Sequence, residues 1–280
     1  MVGRPLASDL LSDCIVQLVV SENLGDDDIP DILNICFDAP RDIISHYGPE
    51  SVEAEDMFYQ LDWTIGALVR FIESHVGNGR VLFVLTSDHG TSGSYDATDT
   101  ERFDGDQFCV ITNSFLGAQY GGDKWVSGYA NRRLYINRSE AFSRRLPLEQ
   151  VQRLISDFAL QMRDVSRVVP ACDLRIGGAG DVYMERLCNG YFPKRSGDLL
   201  IDLAPGVIDI RQGVRAYAGS AYDYDVHVPL VFLGCGIPAG RIDREVDMAA
   251  VPVTLARLLE VGNPEAATAV PIEEIVDCIK

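Results

Sequence analysis

The stretch Val81-Leu82-Phe83-Val84-Leu85-Thr86-Ser87-Asp88-His89-Gly90 decides how this chain is read. Its first six residues form a continuous apolar run of the kind that parallel sheets bury on both faces, so they predict a central strand. Asp88 and His89 follow immediately past the carboxyl end of that strand. In open α/β sheets, ligands are collected from loops at that position. An aspartate beside a histidine there is a candidate metal-binding pair.

Working outward, an alternation of helix and strand predicts an α/β fold. Leu6 to Leu24 carries apolar residues at helical spacing (Leu10, Leu11, Cys14, Ile15, Leu18, Val19) and stops at Gly25. Asp31 to Phe37 reads as a buried strand that delivers Asp42 and His46 in the loop beyond it. Glu50 to His75 reads as a long amphipathic helix with Phe58, Leu61, Ile65, Leu68 and Ile72 on one stripe. His75, in its last turn, places a cation where the helix dipole favours one.

After about residue 92 the rhythm changes to shorter apolar runs, Phe108 to Ile111 and Arg133 to Ile136, with a Gly-rich turn over Tyr120 to Asp123. One helix, Leu148 to Arg163, and a strand, Asp198 to Leu203, complete what reads as an inserted α+β subdomain over about 92–221. The core is then 1–91 and 222–280, one domain in all. Val228 to Leu233 returns as a strand with His227 at its entry. A helix over Ala249 to Leu259 and a short helix or tail over Glu273 to Lys280 close the chain. Gly177-Gly178-Ala179-Gly180 lacks the spacing of a phosphate-binding loop and reads as a turn.

With 280 residues and 47% apolar content, the chain has ample side chains for a large buried core. Its net charge of −18 argues against a nucleic-acid partner or an anionic membrane surface. No apolar run approaches the roughly 20 residues of a membrane span, and no signal-peptide pattern opens the chain. An acidic protein that handles a phosphate must create positive potential locally, and bound divalent ions do so. The seven cysteines include no C-x-x-C pair, so neither a zinc knuckle nor a disulfide framework is indicated. Apolar neighbours, as in Ile35-Cys36-Phe37 and Phe108-Cys109-Val110, predict buried thiols.

The chain has four histidines, and three of them fall in short motifs that also carry aspartates: Asp42-Ile43-Ile44-Ser45-His46, Asp88-His89-Gly90 and Tyr224-Asp225-Val226-His227. A mixed nitrogen and oxygen donor set suits Zn2+ or Mn2+ better than a thiolate-bound metal. Asp223 and Asp225 flank His227 either as orienters of its ring or as solvated turn carboxylates. Tyr217 approaches from the same loop. The run Asp26-Asp27-Asp28 lacks the alternation of a calcium loop and reads as solvated.

Asp-x-x-x-His, Asp-His-Gly and Tyr-Asp-x-His-Val-Pro, in that order, resemble the alkaline phosphatase superfamily. The likeness is to the PafA-like branch of its type I phosphodiesterase/nucleotide pyrophosphatase group. It continues through His46-Tyr47-Gly48-Pro49-Glu50-Ser51, Tyr135-Ile136-Asn137-Arg138, Arg195-Ser196-Gly197-Asp198 and Tyr222 to Pro229, and so runs over nearly the whole chain. The resemblance implies an alkaline-phosphatase-like sheet flanked by helices. It also implies metal-dependent hydrolysis of a small phosphate ester, with phosphomonoesters first and phosphodiesters or nucleotide pyrophosphates next.

In such enzymes two Zn2+ ions are held by two ligand sets. Carried onto this chain, Asp42, His46 and His227 complete one set, and Asp88 and His89 form part of the other. The family's remaining ligand Asp and its Thr or Ser nucleophile come from an early segment not found in this sequence. Gly3-Arg4-Pro5-Leu6-Ala7 already resembles the stretch just upstream of Asp42. Tyr217-Ala218-Gly219-Ser220 stands where relatives read Thr-His-Gly-Ser. The expectation is a fold incomplete at its N-terminus and impaired as this chain alone. The alternative is a non-catalytic metal-binding remnant, or a subunit needing a separate N-terminal half. An uncovered sheet edge would favour self-association or such a complementary fragment. Relatives are usually periplasmic or exported, although no signal peptide is present here.

Overall fold

The computed structural model describes residues 5–93, 102–177, 180–210 and 213–279. Gly3, Arg4, Gly178, Ala179 and Lys280, which belong to stretches read above, lie outside them. Along the chain run α1 (Pro5–Ser21), α2 (Ala39–Tyr47), α3 (Val52–Val76), β1 (Leu82–Thr86), β2 (Arg102–Phe103), α4 (Gly105–Tyr120), β3 (Val126–Ala130) and β4 (Arg133–Ile136). Then follow α5 (Arg138–Ser143), α6 (Leu148–Ala159), β5 (Val165–Pro170), α7 (Ala171–Leu174), α8 (Val182–Asn189), β6 (Leu199–Leu203) and β7 (Ile208–Asp209). The last elements are α9 (Asp223–Val226), β8 (Leu230–Gly234), α10 (Ala250–Leu258) and α11 (Glu273–Ile279). They form two compact units, one of residues 1–42, 56–88 and 229–280, the other of 43–55 and 89–228.

In the first unit β1 pairs antiparallel with β8, from Leu82 opposite Gly234 to Thr86 opposite Leu230. Leu230 and Phe232 turn toward α10 and α11, where Ala250, Ile272 and Ile275 are buried. Leu85, Val231 and Leu233 are about half exposed on the other face. The expected strand exists, but it is not buried on both faces. An antiparallel pair with helices on one side alternates covered and open positions, and the apolar run of β1 does not reveal which.

Ile15, Val19 and Leu68 bury a second cluster that joins α1 to α3, with Leu33, Ile35 and Phe37 packed against it. Residues 31–37, expected as a buried strand, form none. Their inward side chains alternate with exposed Asn34 and Cys36. One-sided packing on the helices is thereby satisfied without a ladder.

The long helix is present as α3, introduced by Ser51, whose hydroxyl accepts the Ala54 N–H at 3.1 Å. Its fully buried residues are Ala54, Met57, Thr64 and Leu68, whereas Phe58 is 50% exposed. Of the expected stripe Leu68 is buried and Leu61, Ile65 and Ile72 are half-buried, so Phe58 is the member that falls outside it. Phe58, Tyr59 and Trp63 make a second apolar stripe, left exposed. Apolar spacing identifies a helix without saying which of two such stripes is covered.

The second unit is built on a sheet ordered β3-β4-β6-β5, with every neighbouring pair antiparallel. Trp125, Leu134, Ile155, Leu199 and Ile201 are fully buried at its core. Asn131 and Arg132 turn the β3–β4 hairpin with φ of 50° and 59°, the paired positive values of a tight two-residue turn. The run Phe108 to Ile111 belongs to α4, a helix the apolar spacing did not separate from a short strand-like run. Asp104 caps it by accepting the N–H groups of Asp106 and Gln107 at 3.0 and 2.9 Å, and Gly121 ends it. That Asp at the start and Gly at the end were the available signals.

The cysteines correct another expectation, because none of the seven is buried and three (Cys14, Cys36, Cys278) are exposed. Apolar neighbours in sequence are not neighbours in space when the element has one wet face. Among the described residues, no helix is long and apolar enough to cross a membrane.

The covered stripe of α3 yields a stability test. Met57→Ala should destabilise the chain by about 2–5 kcal/mol and Phe58→Ala by no more than about 0.5 kcal/mol. Urea unfolding of both variants measures the difference, and the opposite order would contradict the packing.

Candidate metal centre

Asp42 and His46 sit not in a loop but one turn apart on α2. Spacing of four is the spacing of one helical face, so the motif and the helix agree. The Asp42 N–H reaches the Asp38 carbonyl at 3.3 Å, and Pro40 lies in the first turn, where its missing N–H costs nothing. The carboxylate falls in the first turn, where the helix dipole favours it, and the imidazole in the last. Gly48, at φ 97°, donates to the Ile44 carbonyl at 2.8 Å and ends the helix.

Asp42 is half-buried, and Arg41 Nε lies 3.6 Å from its Oδ1, with Arg41 Nη2 also 3.6 Å from Asp38. Exposed pairs of this length contribute little. Asp88, also in the first unit, follows β1, whose last residue Thr86 is pinned by its hydroxyl to the Pro229 carbonyl at 2.8 Å. The charges of this region are felt at Cys36. Its thiol is pushed up chiefly by the charge of Asp38, then by partial burial and the bond to Asp38, and further by the charge of Asp88. This is a locally negative neighbourhood suited to a cation.

His46, His89 and His227 belong to the second unit. His46 Nδ1 lies 3.1 Å from the Gly213 carbonyl oxygen, and His89 Nδ1 lies 2.7 Å from that of Gly90. A carbonyl only accepts, so Nδ1 carries the proton in each ring. Metal-ligating histidines commonly hold one ring N–H against such an acceptor. His227 follows α9 and donates its backbone N–H to the Asp223 carbonyl at 2.8 Å.

Backbone bonds tie the three histidine-bearing segments together. Arg215 N–H donates to the Ser45 carbonyl at 2.7 Å, and Tyr217 N–H to the Ser92 hydroxyl at 3.2 Å. Gly90 N–H donates to the Asp225 carbonyl at 2.7 Å. A Cβ at position 90 would overlap the Tyr224 carbonyl oxygen, so only glycine allows that approach.

Asp225 is 2% exposed, which removes the reading of a solvated turn carboxylate. Its Oδ2 accepts the N–H groups of Gly219 and Ser220 at 3.0 and 2.7 Å and the Ser220 hydroxyl at 2.5 Å. Asp223 instead is exposed and pairs with Arg186 at 3.0 Å. Tyr217 directs its hydroxyl to Asn131 at 3.3 Å. Ser92 and Ser220 were not singled out in sequence; each carries only a hydroxyl whose partner lies on another segment.

The structure thus places Asp42 and Asp88 in one unit and His46, His89 and His227 in the other. Among the described residues, no three His, Cys, Asp or Glu side chains are gathered closely enough to hold a metal ion. Imidazole nitrogen and carboxylate oxygen are donor types that zinc takes.

The type I phosphodiesterase/nucleotide pyrophosphatase profile matches residues 7–208, most of the chain. The chain belongs to that family, a family of phosphoric ester hydrolases. It is 26% identical over 277 residues to alkaline phosphatase PafA of Elizabethkingia meningoseptica, covering 97% of this chain and 50% of the relative. It is 24% identical over 283 residues to a calcium-transporting ATPase of Myroides odoratus, covering 98% of this chain and 52% of that protein. The crystal structure of wild-type PafA aligns with a TM-score of 0.87 at 25% identity, over 97% of this chain and 53% of that one. The fold is therefore that of the alkaline phosphatase superfamily. The chain spans about half the length of the curated relatives it matches.

Gly90 supplies a direct test of the junction. Gly90→Ala should cost about 1–3 kcal/mol through forced overlap, read as a lowered thermal midpoint. A midpoint unchanged from the parent chain would show that the approach to Tyr224 is not needed.

Proposed function

We propose that this chain takes part in metal-dependent hydrolysis of a small phosphoric ester, with a phosphomonoester the favoured substrate and a phosphodiester the next. Asp42, His46 and His227 would hold one divalent ion, and Asp88 and His89 would contribute to a second. Zn2+ is the ion the donor set favours, with Mn2+ the alternative. When bound, such ions supply charge that stabilises phosphoryl oxygens and polarises the reacting centre. The observation that supports the reading is that Nδ1 of His46 and Nδ1 of His89 each lie within hydrogen-bond distance of a backbone carbonyl oxygen.

The chain's own groups do the orienting. The carbonyls of Gly213 and Gly90 fix two rings, and the bond from Gly90 to Asp225 ties the segment of His89 to that of His227. With a net charge of −18, the protein surface repels phosphate at long range, so attraction must come from the ions themselves. The proposal assigns no attacking hydroxyl to a residue of this chain. A second reading is a metal-binding chain that is not catalytic alone.

Turnover of p-nitrophenyl phosphate by the purified chain in excess Zn2+ separates the two readings. The hydrolase reading expects activity that EDTA removes and that His227→Ala reduces to background. Zinc binding without turnover supports the second reading, and neither binding nor turnover contradicts both.

A further inference from the structure

Two stretches singled out in the sequence, Tyr135 to Arg138 and Arg195 to Asp198, have no part in the metal reading, and the fold brings them together. With Ser127, Pro193 and Lys194 they line a cleft of about 500 Å³ in the second unit. Small-molecule sites usually span about 300–1,000 Å³. Asp198, 4% exposed, joins the two stretches. Its Oδ1 accepts an N–H of Arg138 at 2.8 Å and its Oδ2 the Ile136 N–H at 2.8 Å, while its own N–H donates to the Leu134 carbonyl at 2.8 Å. A Cβ at position 197 would lie 2.6 Å from that carbonyl oxygen, so glycine is what lets the segments close.

Residues 192–196 form a tight loop. The Phe192 carbonyl accepts the N–H groups of Arg195 and Ser196 at 3.0 and 2.8 Å, and the Phe192 N–H donates to the Ser196 hydroxyl at 2.9 Å. The Tyr135 hydroxyl donates to the Arg195 carbonyl at 3.4 Å, tying the loop to β4. The Arg195 guanidinium lies 5.0 Å from the centroid of the Phe192 ring, a cation–π contact. Arg138, Lys194 and Arg195 thus bring three positive charges to the cleft against the one carboxylate of Asp198, in a chain of net charge −18. Neither Lys194 nor Arg195 has an ion-pair partner among the described residues, and the Arg138 side chain is 66% exposed beside its single pair. Cations held together repel one another, and a bound anion offsets that cost.

We propose that this cleft binds the phosphoryl group of a small molecule, with Arg138, Lys194 and Arg195 as charged donors and the hydroxyls of Ser127 and Ser196 as neutral ones. A guanidinium presents paired N–H donors that match phosphoryl oxygens, and lysine adds a point charge. Three cations favour a dianion over a monocarboxylate. The inference is independent of the metal-centre reading, because no residue of the cleft is among the ligands assigned there.

The test titrates inorganic phosphate into the EDTA-treated purified chain at constant ionic strength, followed by backbone amide NMR shifts. Saturating shifts are expected over 135–138 and 193–198. Lys194→Gln, at an exposed position, should weaken the affinity about 5-fold. Arg241→Gln, which removes an equal charge from an exposed position in the first unit, should leave it unchanged. Acetate should give no saturating shift in the cleft. Phenyl phosphate, titrated in parallel, distinguishes the source: tighter binding than inorganic phosphate assigns the cleft to a phosphate-bearing organic molecule, and equal or weaker binding assigns it to free phosphate. No saturating shift with either, acetate binding as tightly as phosphate, or equal affinities in Lys194→Gln and Arg241→Gln would overturn the proposal. The titration is metal-free, so failure of the metal-centre reading leaves its outcome unchanged.

Discussion

The N–H of Gly90 donates to the Asp225 carbonyl at 2.7 Å, and that bond forms only because position 90 lacks a Cβ. It couples the segment that carries His89 to the turn that carries His227. Asp225 then extends the coupling, because its buried carboxylate gathers the turn at Gly219 and Ser220. From there the chain reaches back through Tyr217 to Ser92, and through Arg215 to the end of α2 at Ser45. Within this unit the three histidine segments are therefore tied by backbone N–H groups, some bonded to carbonyls at Asp225 and Ser45 and others to the side chains of Asp225 and Ser92.

In the first unit Asp38 above all, and Asp88 to a lesser degree, push up the thiol of Cys36. Arg41 faces the carboxylates of Asp38 and Asp42.

Much of this was legible in the sequence, and the exceptions share a cause. The strands β1 and β8, the helices α3 and α10, and the exit of Asp88 and His89 from a strand follow from apolar run length and from what interrupts it. What periodicity could not supply was which face is covered. Phe58 and Met57 compete for the same interior on α3, and Cys36 and Phe37 compete on the segment before α2; contacts distant in sequence decide both. Residues 31–37 read as a strand because apolar content is high, yet strand identity requires a partner ladder that composition does not encode. The helical placement of Asp42 and His46 was available from their spacing of four, and α4 from the Asp104 cap and Gly121. The burial of Asp225 was not available, because its place in a turn beside His227 does not show whether the carboxylate is covered.

The measurement that bears most directly on the metal-centre account is anomalous diffraction at the zinc edge from zinc-soaked crystals of this chain. The account predicts an ion about 2.0–2.1 Å from Nε2 of His46 and of His227. Zinc bound through Nδ1 of either ring, or at carboxylates remote from both histidines, would contradict it.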